Sequence, residues 1–136
     1  MIAPRVRDAL PVPGERPRVL YEDADLVVVD KPAGWLTHPD GASGRPAVTA
    51  AVGASGVHQR LDVDTTGVLA LSRSPAGDRL LRRAFADGEA HKTYLAVVDG
   101  AAPRATALRA ELDGKPAETR LAVQREGEGW AALRCT

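Results

Sequence analysis

One polar segment of the chain carries residue types that could do chemistry. It spans residues 60–67, reads RLDVDTTG, and lies between two apolar stretches. A carboxylate in such a loop could act as a nucleophile or as a general base. The same residues also suit a simple turn, in which Asp62 caps the backbone and Thr65 and Thr66 bond locally. The residue types alone leave both interpretations of Asp62 open.

Other common catalytic arrangements are missing from the sequence. The three histidines, His38, His58 and His91, are scattered, and the single cysteine, Cys135, cannot build a thiolate metal cluster. The sequence contains no Gly-Lys-Ser/Thr phosphate loop, no GxGxxG and no Gly-x-Ser-x-Gly elbow. We therefore expect no metal site.

The bulk properties are those of a single globular domain without a membrane span. The chain has 136 residues, of which 44% are hydrophobic and 26% charged, and its net charge is zero. No apolar run approaches the ~18 residues of a membrane helix, and the N-terminus lacks the apolar stretch of a signal peptide. A cytoplasmic protein is expected. Because there is no basic excess, any contact with nucleic acid must be local and depend on shape.

The elements that must position the polar segment alternate between short strands and helices. Residues 1–17 contain four prolines and predict an extended arm. Residues 18–136 predict one domain of α+β class, with two helices and a mixed, mostly antiparallel sheet. Ser74 is a plausible N-cap for the second helix, with Pro75 at its first position. The predicted strands are 19–21, 26–29, 68–71, 93–98, 107–112, 119–124 and 130–135. The predicted helices are residues 47–52 and a second helix that begins at Pro75. The apolar face of the second helix consists of Leu80, Leu81, Ala84 and Phe85.

Four motifs, in the same order as in a known family, carry a resemblance. Residues 58–71 (HQRLDVDTTGVLAL) resemble the H-R-L-D-x-x-T-[ST]-G signature of the RluA-type pseudouridine synthases. Residues 19–23 (VLYED) and 27–34 (VVVDKPAG) resemble the first motif of that family. Residues 92–100 (KTYLAVVDG) resemble its K-x-Y-x-A-x-x-x-G strand, and residues 114–119 (GKPAET) its G-K-x-A-x-T turn. The related RsuA type shares only some of these pieces, so the opening motif favours the RluA type over residues 18–136.

The resemblance implies an RNA uridine isomerase in which Asp62 is the catalytic aspartate. The reaction detaches uracil from its ribose, turns it and rejoins it through carbon, without a cofactor. Tyr94 matches the active-site tyrosine of the family, where a phenol can stack on the base or move a proton. A strand tyrosine half-buried in the core is the alternative. The substrate would be ribosomal or transfer RNA.

The resemblance also implies RNA contacts. Arg60 would help to fill the gap that a flipped uridine leaves, although it could instead pair with Asp64 on the surface. Lys31 could contact phosphate or close a turn, and His58 and Thr66 are further candidates for RNA contact. The three helix arginines could line an RNA face or lie on a solvated surface; they are Arg79, Arg82 and Arg83.

The chain departs from the family pattern at two places. Gln59 stands between His58 and Arg60, where the common motif has no residue. Where the family continues with G-R-T-H-Q-I-R-x-H, whose last arginine pairs with the aspartate, this chain ends at Thr136. We therefore expect an open sheet edge that could favour self-association. The predicted function is an RNA pseudouridine synthase; the alternatives are a catalytically inactive RNA-binding remnant or fragment, or a domain that binds a partner through its open edge.

Overall fold

The computed structural model describes residues 16–104, 106–112 and 114–136. These residues form two compact units, the first ending at Glu89 and the second running from Ala90 to Thr136. Most of the arm predicted for residues 1–17 lies outside the described residues. The single domain predicted for residues 18–136 stays a prediction.

The first unit is an antiparallel sheet with two helices. Its strands lie in the order β1-β2-β4-β3. The described elements are β1 (Arg18–Glu22), β2 (Leu26–Lys31), α1 (Val48–Val52), β3 (Gly56–Val57), β4 (Gly67–Ser72) and α2 (Pro75–Ala86). All of these elements were predicted except the two-residue strand β3.

The core of the first unit follows from the two-residue period of its strands. Val27 and Val29 on β2 are fully buried and pair with Leu71 and Leu69 on β4, which are also fully buried. Burying one such side chain contributes about 1.5–3 kcal/mol. The alternation continues to Lys31 at the end of β2, so its side chain points to the same inner face.

Helix α2 begins as predicted but turns a slightly different face inward. The Ser74 hydroxyl accepts a hydrogen bond from the Gly77 N–H at 3.1 Å and caps the helix. Gly77 is buried, and a Cβ there would lie 2.2 Å from the Asp25 carbonyl oxygen. Helix α2 therefore lies directly against the backbone of Asp25 at Gly77. Leu80, which was predicted on the apolar face, is 57% exposed.

The second unit is a four-stranded antiparallel sheet. Its described strands are β5 (Tyr94–Asp99), β6 (Ala107–Leu112), β7 (Lys115–Gly127) and β8 (Trp130–Cys135), in the order β5-β8-β7-β6. Strand β7 is longer than predicted, because Lys115 and Pro116 pair with Leu112 and Glu111 instead of staying in the turn. The α+β class with mostly antiparallel strands is confirmed. Strands β5 and β6 form the edges of this sheet, and self-association through an edge stays a prediction.

Candidate active site

Residues 58–66 connect β3 to β4 and contain the candidate catalytic aspartate. The exposure of residues 60–66 alternates along the chain, as it does in a strand with one solvent-exposed face. The inner side chains are partly buried; they are Leu61, Val63 and Thr65. The outer ones are exposed to solvent; they are Arg60, Asp62, Asp64 and Thr66. The loop therefore presents Asp62 outward from a backbone that is anchored beneath it.

The backbone immediately after Asp62 is held by Lys31. The Lys31 Nζ donates hydrogen bonds to the carbonyl oxygens of Val63, Trp35 and Pro32, at 3.0, 2.8 and 3.2 Å. The Val63 oxygen also accepts from the Gly34 N–H at 2.8 Å. An ammonium group has three donors, so these bonds use all of them. In this structure the Lys31 ammonium group closes the turn from inside, and its contact with phosphate stays a prediction.

Lys31 is also a positive charge near the two loop carboxylates. Its side chain is fully buried, and burial lowers its pKa because it penalises the charged form. The negative charges of Asp64 and Asp62 act in the opposite direction and raise that pKa. The effect of burial is the larger one, so the pKa of Lys31 stays below its ordinary value. From the sequence, we expected the aspartate to need a cation from a later motif.

The backbone immediately before Asp62 is held by Thr37. The Thr37 hydroxyl accepts a hydrogen bond from the Leu61 N–H at 3.2 Å and donates one to the Leu61 carbonyl at 3.1 Å. Within the loop, the Thr65 N–H donates to the Asp62 carbonyl at 3.1 Å. Asp62 thus lies between two anchored residues, Leu61 and Val63. Sequence reasoning missed Thr37, because it lies outside the family motifs and outside the predicted strands and helices.

The start of the loop is anchored by His58, whose side chain is buried. Its Nε2 lies 3.4 Å from the Ser72 Oγ and 3.2 Å from an Asp78 carboxylate oxygen. A catalytic Ser-His-Asp triad uses both ring nitrogens, one for each partner, whereas here both contacts go to the same nitrogen. Ser72 is also fully buried. The cluster therefore anchors the start of the loop from inside the protein, and contact of His58 with RNA stays a prediction.

Three further features of the loop bear on the predictions. Among the residues that the structure describes, no ion pair joins Arg60 to Asp64. The Arg60 side chain is exposed to solvent. Gln59 places its side-chain amide 3.5 Å from the Val68 carbonyl oxygen. Gly67 ends the loop with a φ of 130°, a conformation that side chains disfavour. This backbone conformation explains why the motif has a glycine at this position.

The remaining candidates lie on helix α2 and in the second unit. Arg82 and Arg83 form i,i+4 ion pairs with Asp78 and Asp87, at 2.8 and 3.3 Å. These pairs fit the solvated-surface interpretation of the helix arginines. Tyr94 is the first residue of β5, where it pairs with Cys135 and is 41% exposed.

Comparison with known proteins places the chain in a family. The family model described as RNA pseudouridylate synthase matches residues 25–135. The chain belongs to this family. The match covers both units of the structure and includes the loop around Asp62 as well as Tyr94.

Relatives of this chain support the RluA type. It is 36% identical over 122 residues to ribosomal large subunit pseudouridine synthase D of Xanthomonas campestris pv. campestris, covering 80% of this chain and 36% of the relative. It is 40% identical over 88 residues to the dual-specificity RNA pseudouridine synthase RluA of Yersinia pestis, covering 60% of this chain and 42% of the relative. The chain thus spans 36–42% of the length of these relatives.

A solved structure confirms the fold of this chain. Human RNA pseudouridylate synthase domain containing 4 aligns with a TM-score of 0.64 and 20% identity, over 87% of this chain and 57% of that one. Among the described residues, no helix is long and apolar enough to cross a membrane. Within the same residues, no group of three or more His, Cys, Asp or Glu side chains is arranged to hold a metal ion.

Proposed function

We propose that this chain is an RNA pseudouridine synthase that isomerises uridine in ribosomal or transfer RNA, with Asp62 as its catalytic aspartate. In this reaction the C1′–N1 bond breaks, a C1′–C5 bond forms, the C5 hydrogen leaves as a proton and N1 gains one. The base leaves and returns as the nucleophile, so no cofactor is required. The names of two relatives, which refer to the ribosomal large subunit and to RNA, support the substrate class. Such substrates imply a cytoplasmic protein.

The observation that carries the proposal is the exposed carboxylate of Asp62 on an anchored backbone. Leu61 is held by Thr37, and Val63 is held by Lys31 and Gly34. An aspartate that acts on the sugar must be accessible and held in one geometry, because misplacement of about 1 Å can cost about a hundredfold in rate. A turn-capping aspartate would instead direct its carboxylate to nearby backbone N–H groups. None of the hydrogen bonds described above uses the Asp62 carboxylate in that way.

In this proposal, some of the other predicted site residues contact the RNA and others support the loop. Tyr94 contacts the uracil base, and Arg60 occupies the place of the flipped uridine. Thr66 contacts the RNA from the exposed side of the loop. Lys31 and His58, whose polar atoms bind inside the protein, support the loop from beneath.

Tritium release tests the proposal. RNA transcribed with 5-tritiated uridine, in ribosomal and transfer RNA pools, releases tritium to water when C5 becomes bonded to the sugar. We expect release by the full chain and background release by Asp62→Asn. Asp64→Asn is the matched control, because Asp64 is a second exposed aspartate of the same loop, and it should retain most of the activity.

The outcomes separate the candidate functions. Release that survives in Asp62→Asn would refute the assignment of the catalytic aspartate. No release from folded wild-type protein would refute the proposed activity and favour the inactive RNA-binding remnant or fragment. Binding of the same RNA by filter retention would then distinguish that alternative from a domain that binds only a protein partner.

A further inference from the structure

Thr37 makes an unusual two-way contact with the residue before Asp62. Its side chain is 4% exposed, and its hydroxyl both accepts from the Leu61 N–H and donates to the Leu61 carbonyl, at 3.2 and 3.1 Å. A hydroxyl can do both at once. The Thr37 carbonyl in turn accepts from the Thr49 N–H at 3.2 Å. Thr37 is therefore fixed to α1 and transmits that position to the loop.

The geometry of the peptide bond makes this contact relevant to Asp62. The Leu61 carbonyl belongs to the planar peptide group that links Leu61 to Asp62. Holding its oxygen therefore fixes the orientation in which the backbone enters Asp62. On the other side, the Val63 carbonyl is held by Lys31 and by the Gly34 N–H. The direction of the Asp62 side chain is thus constrained from both neighbours.

We propose that Thr37 is a positioning residue for Asp62, which sets the approach of the carboxylate without touching the substrate. The inference rests on the proposed function. Its hydroxyl is the part that matters, because the hydroxyl makes both bonds to Leu61. The methyl group only fills the buried site.

Isosteric and conservative variants test the inference. Thr37→Val keeps the shape and removes both bonds, and Thr37→Ser keeps the hydroxyl. In tritium release, we expect Thr37→Val to lower kcat by about 10- to 100-fold with KM nearly unchanged, since a misplaced catalytic group loses rate rather than binding. Thr37→Ser should stay within a few-fold of wild type. Thr49→Val is the matched control, because it alters a buried threonine of α1 and leaves the bonds to Leu61 in place.

A second readout does not depend on activity. Hydrogen exchange of the Leu61 amide, followed by NMR, should accelerate at least about tenfold in Thr37→Val but not in Thr37→Ser or Thr49→Val. Wild-type kcat in Thr37→Val would overturn the inference. So would a folded Thr37→Ser that is as impaired as Thr37→Val. If the wild-type chain releases no tritium, the proposed function fails separately, and unchanged Leu61 exchange in Thr37→Val would overturn the positioning role by itself.

Discussion

Replacing Lys31 with methionine should destabilise the first unit by about 2–4 kcal/mol. The ammonium group donates three hydrogen bonds to backbone carbonyls, and hydrogen bonds to a charged group contribute about 1.5–3 kcal/mol each. The cost of burying the charge, several kcal/mol, offsets part of this sum and disappears with the lysine. Methionine also keeps most of the apolar packing of the stem. The expected loss is therefore well below the gross sum of the three bonds.

Urea unfolding followed by tryptophan fluorescence measures this loss locally. The chain has two tryptophans, and Trp130→Phe leaves Trp35, whose carbonyl accepts from Lys31, as the reporter. For a small unit that loses about 1 kcal/mol of stability per molar urea, the midpoint should fall by about 2 M or more. Arg18→Met is the matched control: this cation on β1 is 74% exposed, and its loss should change stability by less than about 1 kcal/mol.

The reasoning about Lys31 has a clear refutation. If Lys31→Met unfolds within about 1 kcal/mol of the parent, the three bonds do no more than balance the cost of burying the charge. The buried charge of Lys31 would then make no net contribution to the stability of the loop. If Arg18→Met loses as much as Lys31→Met, the loss reflects removal of any cation from this sheet and not the contacts with the loop.

Two further predictions concern the surroundings of the loop. Gly56→Ala should lower the stability by about 1–3 kcal/mol, because the new Cβ would lie 2.0 Å from the Oγ of the buried Ser72; an unchanged melting temperature in circular dichroism would contradict this. The Asp40 carboxylate accepts from the N–H groups of Ala42 and Ser43, which hold its pKa at about 2, below the ordinary value of 3.8. The stabilising contribution of the Asp40 carboxylate is therefore present above about pH 4 and is lost as the pH falls through 2. In acid unfolding, Asp40→Asn should therefore flatten the dependence of stability on pH between pH 4 and 2. Superimposable profiles of the parent and the variant would contradict this role of Asp40.

Much of the fold was predictable because its signals are local. The apolar alternation of β2 and β4 and the Ser74-Pro75 helix start each depend on residues close together in the chain. The extent of β7 was not, because Lys115 and Pro116 become strand residues only through pairing with β6. Leu80 was predicted on the apolar face of α2 but is 57% exposed, whereas Gly77 is buried against the Asp25 carbonyl, a contact between segments that the helical period does not reveal.

The sequence by itself determined where the candidate chemistry lies, namely a polar loop with Asp62 between two apolar elements, and the family motifs around it. Only the tertiary structure decided which polar residues face inward. Lys31 reaches Val63 across 32 residues, and Thr37 reaches Leu61 across 24. A buried polar group is stable only where partners satisfy it, and those partners are brought together by packing of distant segments. The family resemblance made Lys31 and His58 candidates for RNA contact, whereas the structure shows that their polar atoms have partners inside the protein.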